Sequence, residues 1–479
     1  MSYQEFVQRV RRYRPSDLIP VLAQFSAERF EQAEIPEPLV DFPWAISAIA
    51  RDAVLYGNEQ RDAHVDRTIL KDLVSAFNIT DGGRRRDGVA RMLTSVAYEQ
   101  FPYQESDFEE LARIYALFED PALGPTSDWT KIFGMSLAEA VRAAFVLRVW
   151  VARMGGRFDP TLGDLPSMQD VFKNVAPREQ VETVAALLTT TIDEAKRASE
   201  IVPALPRHLK RYAFNPLVAR PLVDLGEKGI WAPQAMFVDR ALHPINLYYR
   251  AWDAWDKKFA DDLGPRVEAY VGRQLRLIAD EADLHSEIDY KDVADGNMKK
   301  SIDWFWVTDK AVILIECKSA RLPLHARAGD ASLSDLASRT LVKARDQLDT
   351  SARFIRDRTA PFDQFPADRP IIGLAVTCEP FYLANSTFDE YGANSSIPSL
   401  VISLRELEHW VCLPASDAVG KLLDVLADPE RRTWLFSAAL GEMIGATRNS
   451  ILDEAWTHYD FIDKQFVDSF TRTSLNEET

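Results

Sequence analysis

Three ionisable residues in the segment SIDWFWVTDKAVILIECKSA, residues 301–320, have the types and spacing of a hydrolytic site. Asp303 lies in the apolar run Ile302–Val307, and Glu316 and Lys318 lie at the end of a second run, Ala311–Cys317. Both runs are rich in Val, Ile, Trp and Phe, which predicts two strands. Side chains two apart on a strand share a face, so Glu316 and Lys318 point together and Cys317 points away. A two-residue turn at Asp309-Lys310 would make a hairpin and set Asp303 directly opposite Glu316, with Cβ atoms about 4.5–5.5 Å apart. Asp-Lys is not a favoured pair for such a turn, and a longer loop would shift the register. Two facing carboxylates repel, and each carries a desolvation cost in apolar strands. A divalent cation between them removes both objections, because hard oxygen ligands suit Mg²⁺. Lys318 beside them would hold or deprotonate a water. The competing account is a structural salt-bridge cluster of Asp303, Glu316 and Lys318 that needs no metal.

The elements that would position these residues follow from periodicity. Trp252–Ala279 reads as a helix with a break near Gly264-Pro265, followed by a short strand around Glu287–Tyr290. After the hairpin come a long helix over Leu333–Arg356 and two wholly apolar strands, Pro370–Thr377 and Leu400–Leu404, with the pattern of strands buried on both faces. Residues 405–472 are helical again. This order predicts a mixed sheet with helices on both faces. Residues 1–200 read as helix after helix: Trp44–Leu55, Val89–Tyr98, Phe108–Phe118, Leu137–Met154 and Val181–Ala198. Asp81-Gly82-Gly83, Pro121 to Pro125 and Gly155-Gly156 separate them. Residues 201–250 carry Pro203, Pro206, Pro216, Pro221, Pro233 and Pro244 between short apolar pieces such as Pro221–Val223 and Ala235–Val238, which predicts irregular structure with short strands. The expected fold class is α+β, multidomain. It comprises a helical region over 1–200 for recognition or partner binding, a proline-rich connector over 201–250, an α/β core over 251–412, and C-terminal helices over 413–479 packed on that core.

Asp303 followed by Glu316-Cys317-Lys318 at the end of an apolar strand resembles the PD-(D/E)XK superfamily of restriction-endonuclease-like nucleases, over about residues 255–412. The resemblance implies a restriction-endonuclease-like core and Mg²⁺- or Mn²⁺-dependent phosphodiester hydrolysis. DNA rather than RNA is the substrate it favours, in the setting of a bacterial restriction or anti-phage defence system. Asp303, Glu316 and Lys318 would be catalytic. The metal would be held by Asp303, Glu316, the carbonyl of Cys317, and Glu268 on the preceding helix. Gln347 matches a glutamine that RecB-like members carry on the next helix, but Ser351 stands where those members have tyrosine. Lys299, Lys300, Arg321, Arg327, Lys343 and Arg345 are the nearby cations that would hold a phosphate backbone. His285 and His325 lie near in sequence, as a base or as polar surface.

Composition limits the alternatives. Of 479 residues, 47% are hydrophobic and 27% charged, which excludes a disordered or fibrous chain. The net charge of −17 excludes a general coater of nucleic acid. Two islands are basic: residues 201–250, with 7 basic and 3 acidic side chains, and residues 299–358, with 12 and 8. Three cysteines imply no disulfide framework and predict a reducing, cytoplasmic setting without a membrane span. No GxxxxGK[ST] loop is present, so no nucleotide cofactor is expected. Trp252 and Trp255, three apart, fit a core-facing helix stripe. A second functional class stays open: a catalytically inactive nuclease-fold scaffold that works through a protein partner, a homo-oligomer or bound nucleic acid.

Overall fold

A computed structural model describes residues 1–31, 43–80, 89–104, 106–202, 204–292, 296–319, 321–322, 327–328, 332–386, 395–441 and 448–462. Asp81-Gly82-Gly83, Pro203, His325 and the end of the C-terminal helical region lie outside the described residues. The architecture is α+β, with mixed sheets and helices at both ends of the chain. No helix among the described residues is long and apolar enough to cross a membrane.

Helix starts follow capping chemistry. Ser2, Ser136, Thr191 and Ser403 each begin an S/T-x-x-E sequence. Each hydroxyl accepts from the third helical N–H while the glutamate returns the bond. Thr191 also explains one departure from the sequence reading. Val181–Ala198 is not one helix but two, Arg178–Leu188 and Ile192–Ile201, interrupted by the three-threonine strand Thr189–Thr191. The β-branched side chains favour the extended form, and the cap then restarts the helix. A second departure is at Gly264-Pro265, which sits inside the helix Lys257–Leu275. The chain turns earlier, at Asp256, whose φ of 49° ends the helix Pro244–Trp255. A third is Ala235–Val238, which enters the helical turn Phe237–Arg240 rather than a strand. Trp252 is 39% exposed, whereas Trp255 packs edge-on against Trp129 at 5.3 Å.

Strands are numbered in chain order. Four short ones, β1 (Arg157–Phe158), β2 (Thr189–Thr191), β3 (Leu222–Asp224) and β4 (Ile230–Trp231), form a small sheet in the order β1-β4-β3-β2. Strands β6 (Asp289–Lys291) and β7 (Met298–Lys300) make a separate hairpin. The larger sheet has the order β11-β10-β9-β8-β5, from β5 (Leu284–Ser286), β8 (Trp304–Val307), β9 (Val312–Lys318), β10 (Ile371–Thr377) and β11 (Ser399–Ser403). Strand β9 is antiparallel to β8 and parallel to β10, and β10 is parallel to β11. The helix Ser332–Arg356 makes the crossover that a parallel β9–β10 pair requires.

Alternation along β8 and β9 divides the core. Phe305, Val312 and Leu314 pack with Leu348, Ala352 and Ile355 of the crossover helix. Trp304, Trp306, Ile313 and Ile315 face a larger core that includes Val267, Tyr270 and Val271 of the helix Lys257–Leu275. That core continues into the helix Leu137–Arg153, while the first helices of the chain share a core of their own.

A buried polar network ties three helices around the sheet. Arg113 Nε donates to Glu408 at 2.8 Å, Tyr270 Oη donates to the same carboxylate at 2.7 Å, and Gln274 donates to Tyr270. Glu408 is fully buried. We expect Arg113→Met to cost about 3–5 kcal/mol in chemical denaturation, because Glu408 and Glu110 would stay buried without a counter-charge. Adding Glu408→Gln, which keeps an acceptor for Tyr270, should recover much of that loss; additive losses in the double variant would contradict this account.

Candidate active site

The β8–β9 hairpin closes through the two-residue turn. Thr308 N–H donates to Ala311 O at 2.9 Å, and the Thr308 hydroxyl accepts from Ala311 N–H, compensating for a poor turn pair at Asp309-Lys310. The ladder pairs Trp304 with Ile315 and Val307 with Val312. One step beyond it, Asp303 falls opposite Glu316, on the face that Phe305 and Leu314 share with the crossover helix. Both carboxylates are buried, Glu316 to 3% exposure.

Each buried oxygen has an identifiable fate. Asp303 Oδ2 accepts the Cys317 N–H at 2.6 Å, closing the end of the ladder. Lys318 Nζ donates to Glu316 Oε1 and to Gln347 Oε1, the latter at 2.8 Å. Gln347 thus reaches the site from the crossover helix. Glu316 Oε2 is buried and has no hydrogen-bond partner. Burial, then the charge on Asp303, pushes the Glu316 carboxyl up to about 8, while Lys318 opposes the shift. Burial also raises Asp303, and burial together with Asp303 raises Glu268. The Cys317 thiol points to the other face, and burial holds it protonated.

Glu268 is positioned by a close helix–sheet contact. Trp304 Nε1 donates to its carbonyl at 3.0 Å. A Cβ at Gly272, one turn on, would lie 2.1 Å from the Trp304 ring, so glycine lets the helix approach. Gly272→Ala should cost about 1–3 kcal/mol by overpacking. Unchanged denaturant stability would mean that this contact does not set the spacing.

One carboxylate escaped the sequence reading. Strand β5 pairs Leu284 with Trp306 and Ser286 with Trp304, so Glu287 comes next and faces Asp303 from the other side. Its charge acts on both Asp303 and Glu268. The signal lay in continuing the hairpin register to a third strand, which needed the β5–β8 pairing. Glu268, Glu287, Asp303 and Glu316 therefore form one electrostatic group with Lys300 and Lys318. Four carboxylates share two ammoniums, and the group relieves the imbalance by holding a proton on Glu316.

The remaining sequence candidates are distributed unevenly. Lys300 pairs with Glu287 beside the site, and Lys299 pairs with Asp292. Arg327 pairs with Glu379, and Arg321 lies 4.0 Å from the same carboxylate with its guanidinium over Tyr248. These two side chains are committed to an internal network. Lys343 is exposed on the crossover helix, and Arg345 reaches toward Ala384 O. His285 packs edge-on against Phe365 on β5.

Asp107, Asp239 and His243 bring potential ligand atoms within 4.8 Å of one another elsewhere, a spacing that Glu268, Asp303 and Glu316 do not reach. Arg148 pairs with both Asp107 and Asp239, and Arg240 lies 3.7 Å from Asp107. That group is already charge-balanced and has no electrostatic need of a cation. In the Asp303 group the buried Glu316 Oε2, which has no hydrogen-bond partner, is the atom a divalent ion would complete. No family model matches the chain, and neither a curated protein nor a solved structure matches it.

Proposed function

We propose that the sheet bearing Asp303, Glu316 and Lys318 is a restriction-endonuclease-like core, and that the protein is a Mg²⁺-dependent nuclease acting on nucleic acid, DNA before RNA. The observation that carries this reading is the buried carboxylate pair with one oxygen left without a partner. A salt-bridge cluster built for stability has no reason to set two buried carboxylates opposite each other with one ammonium between them and leave one oxygen unpartnered. Asp303 and Glu316 would hold the ion, with Glu268, Glu287 and the Cys317 carbonyl within the same group. When bound, a divalent cation supplies a water of lowered pKa and offsets charge on the phosphate.

The protein's own side chains do the rest. Gln347 accepts from Lys318 and aims its ammonium across the carboxylates. There the ammonium orients the attacking water and stabilises the negative charge that develops on the phosphoryl oxygens. Lys343, exposed one turn before Gln347, is placed to contact a phosphate, and Lys300 borders the same group. Burial keeps bulk water from screening these interactions. A defence role fits the attachment of a large helical region to a nuclease core.

A second reading is a nuclease-fold scaffold without catalysis. It is favoured by the pairing of Lys299, Lys300 and Arg327 within the protein. Incubation of the full chain with single- and double-stranded DNA and RNA, in Mg²⁺ or Mn²⁺ and in EDTA, separates the two. We expect metal-dependent cleavage that Asp303→Asn abolishes while Tm in EDTA stays equal or rises. Cleavage that survives Asp303→Asn removes the proposed site, and inactivity on every substrate and metal leaves the scaffold.

A further inference from the structure

The basic island at residues 201–250 takes no part in the carboxylate site, yet the fold gathers four of its arginines around one cleft of about 480 Å³. Its walls come from the helices Pro43–Tyr56, Val89–Gln100 and Pro244–Trp255 and from the connector between. Six arginines line it, and four have a carboxylate. Arg51 pairs with Asp52 at 2.9 Å, Arg211 with Glu99 at 3.0 Å, Arg240 with Asp107 at 3.7 Å, and Arg327 with Glu379.

Arg220 and Arg250 differ. Among the described residues no carboxylate forms an ion pair with either. Arg250 is held by the carbonyls of Ala219, at 2.5 Å from Nη2, and Ala241, at 3.4 Å from Nε, and among the described residues its Nη1 makes no hydrogen bond. Burial and then the neighbouring Arg220 pull its pKa down to about 10, with Asp253 one turn on offsetting only part of this. Two guanidiniums are therefore held together against their mutual repulsion, in a chain of net charge −17. Arg220 is exposed and Arg250 partly buried with only carbonyl acceptors, and a guanidinium fork suits phosphate. In the same cleft Trp44 meets Tyr103 edge-on at 6.2 Å between ring centroids, and Tyr103 carries the Arg240 guanidinium over its ring at 5.3 Å, with the buried Phe237 behind it at 6.0 Å. Aromatic rings stack on the faces of bases without regard to sequence. The volume lies within the range of small-molecule sites.

We propose that this cleft binds a small phosphorylated aromatic molecule of mononucleotide size, with its phosphate on Arg220 and Arg250 and its ring against Trp44. The proposal stands independently of the nuclease reading. Arg327, through Glu379, joins the cleft to Leu322, whose N–H donates to Glu379 at 2.8 Å four residues beyond Lys318.

The test is titration of the full chain, in EDTA so that a metal-dependent site stays silent, with AMP, GMP, CMP and UMP and with adenosine as the unphosphorylated control. Isothermal calorimetry and thermal shift read the binding. At least one mononucleotide should bind with a Kd of about 1 mM or tighter and raise Tm, and adenosine should bind at least about tenfold more weakly than AMP. Arg220→Gln, at an exposed position that folding does not depend on, should weaken nucleotide binding about tenfold, and Arg250→Gln by at least as much. Absence of binding by every mononucleotide at about 5 mM overturns the proposal. So does adenosine binding as tightly as AMP, or wild-type affinity in both variants.

Discussion

Lys318→Ala yields a folded protein that binds Mg²⁺ and cleaves about 10²–10⁴-fold more slowly than wild type, the range over which a positioned proton-transfer group contributes. The fold should survive, because Lys318 lies at the last residue of β9 and is partly exposed, while the apolar ladder before it is untouched. Metal binding should survive too, since the ligands are carboxylates. Loss of the ammonium removes the cation that opposes the cost of charging Glu316. Metal-free Tm should therefore drop, and the rise in Tm on adding Mg²⁺ should grow. A merely structural lysine would lower stability without changing cleavage at saturating metal. Single-turnover cleavage together with calorimetric Mg²⁺ titration distinguishes these, and a rate within about twofold of wild type would remove Lys318 from the mechanism.

The contribution of Glu316 to the stability of the metal-free protein should be lost as pH rises from about 4.5 toward 8. The sign follows from Glu316. Its carboxyl sits at about 8 in the folded protein, against an ordinary value of 4.5. The folded state thus holds a proton that the unfolded chain releases. The associated stabilisation is complete below the unfolded pKa and is lost as pH passes through the folded one. Asp303 shifts in the same direction and reinforces the trend. Metal binding needs deprotonated carboxylates, so the rise in Tm caused by Mg²⁺ should increase across the same window, with proton release on binding. Thermal melts at a series of pH values, in EDTA and in Mg²⁺, read both effects. Glu316→Gln should flatten the EDTA profile, since an amide does not titrate. A Mg²⁺ effect that ignores pH, or a Glu316→Gln profile as steep as wild type, would show that this carboxylate neither holds the proton nor meets the ion.

Much of this site was legible in the chain because a β-hairpin is a local structure. Period-two alternation and the length of the turn suffice to put Asp303 opposite Glu316 and Lys318 on the same face, and the ladder carries that register. The crossover helix and the two apolar strands were equally legible, because burial on both faces writes a continuous apolar run. Boundaries were less so. The split at Thr189–Thr191 and the turn at Asp256 depend on capping and backbone geometry that periodicity averages away.

By itself the sequence determined the local pairing: which residues share a face, which strand ends in charge, and that the chain is α+β. Only the tertiary structure decided what surrounds that pair. Glu287 joined the group through pairing of β5 with β8, Gln347 through the packing of a helix 29 residues downstream, and Glu268 through the gap that Gly272 opens for Trp304. It also drew Arg321 and Arg327 inward to Glu379 and brought Arg220 and Arg250 to one cleft, where no described carboxylate forms an ion pair with either. Spacing along a strand is set by bond geometry, whereas the neighbours of a charge are set by long-range packing, and a side chain's ionisation and ligand preference depend on those neighbours.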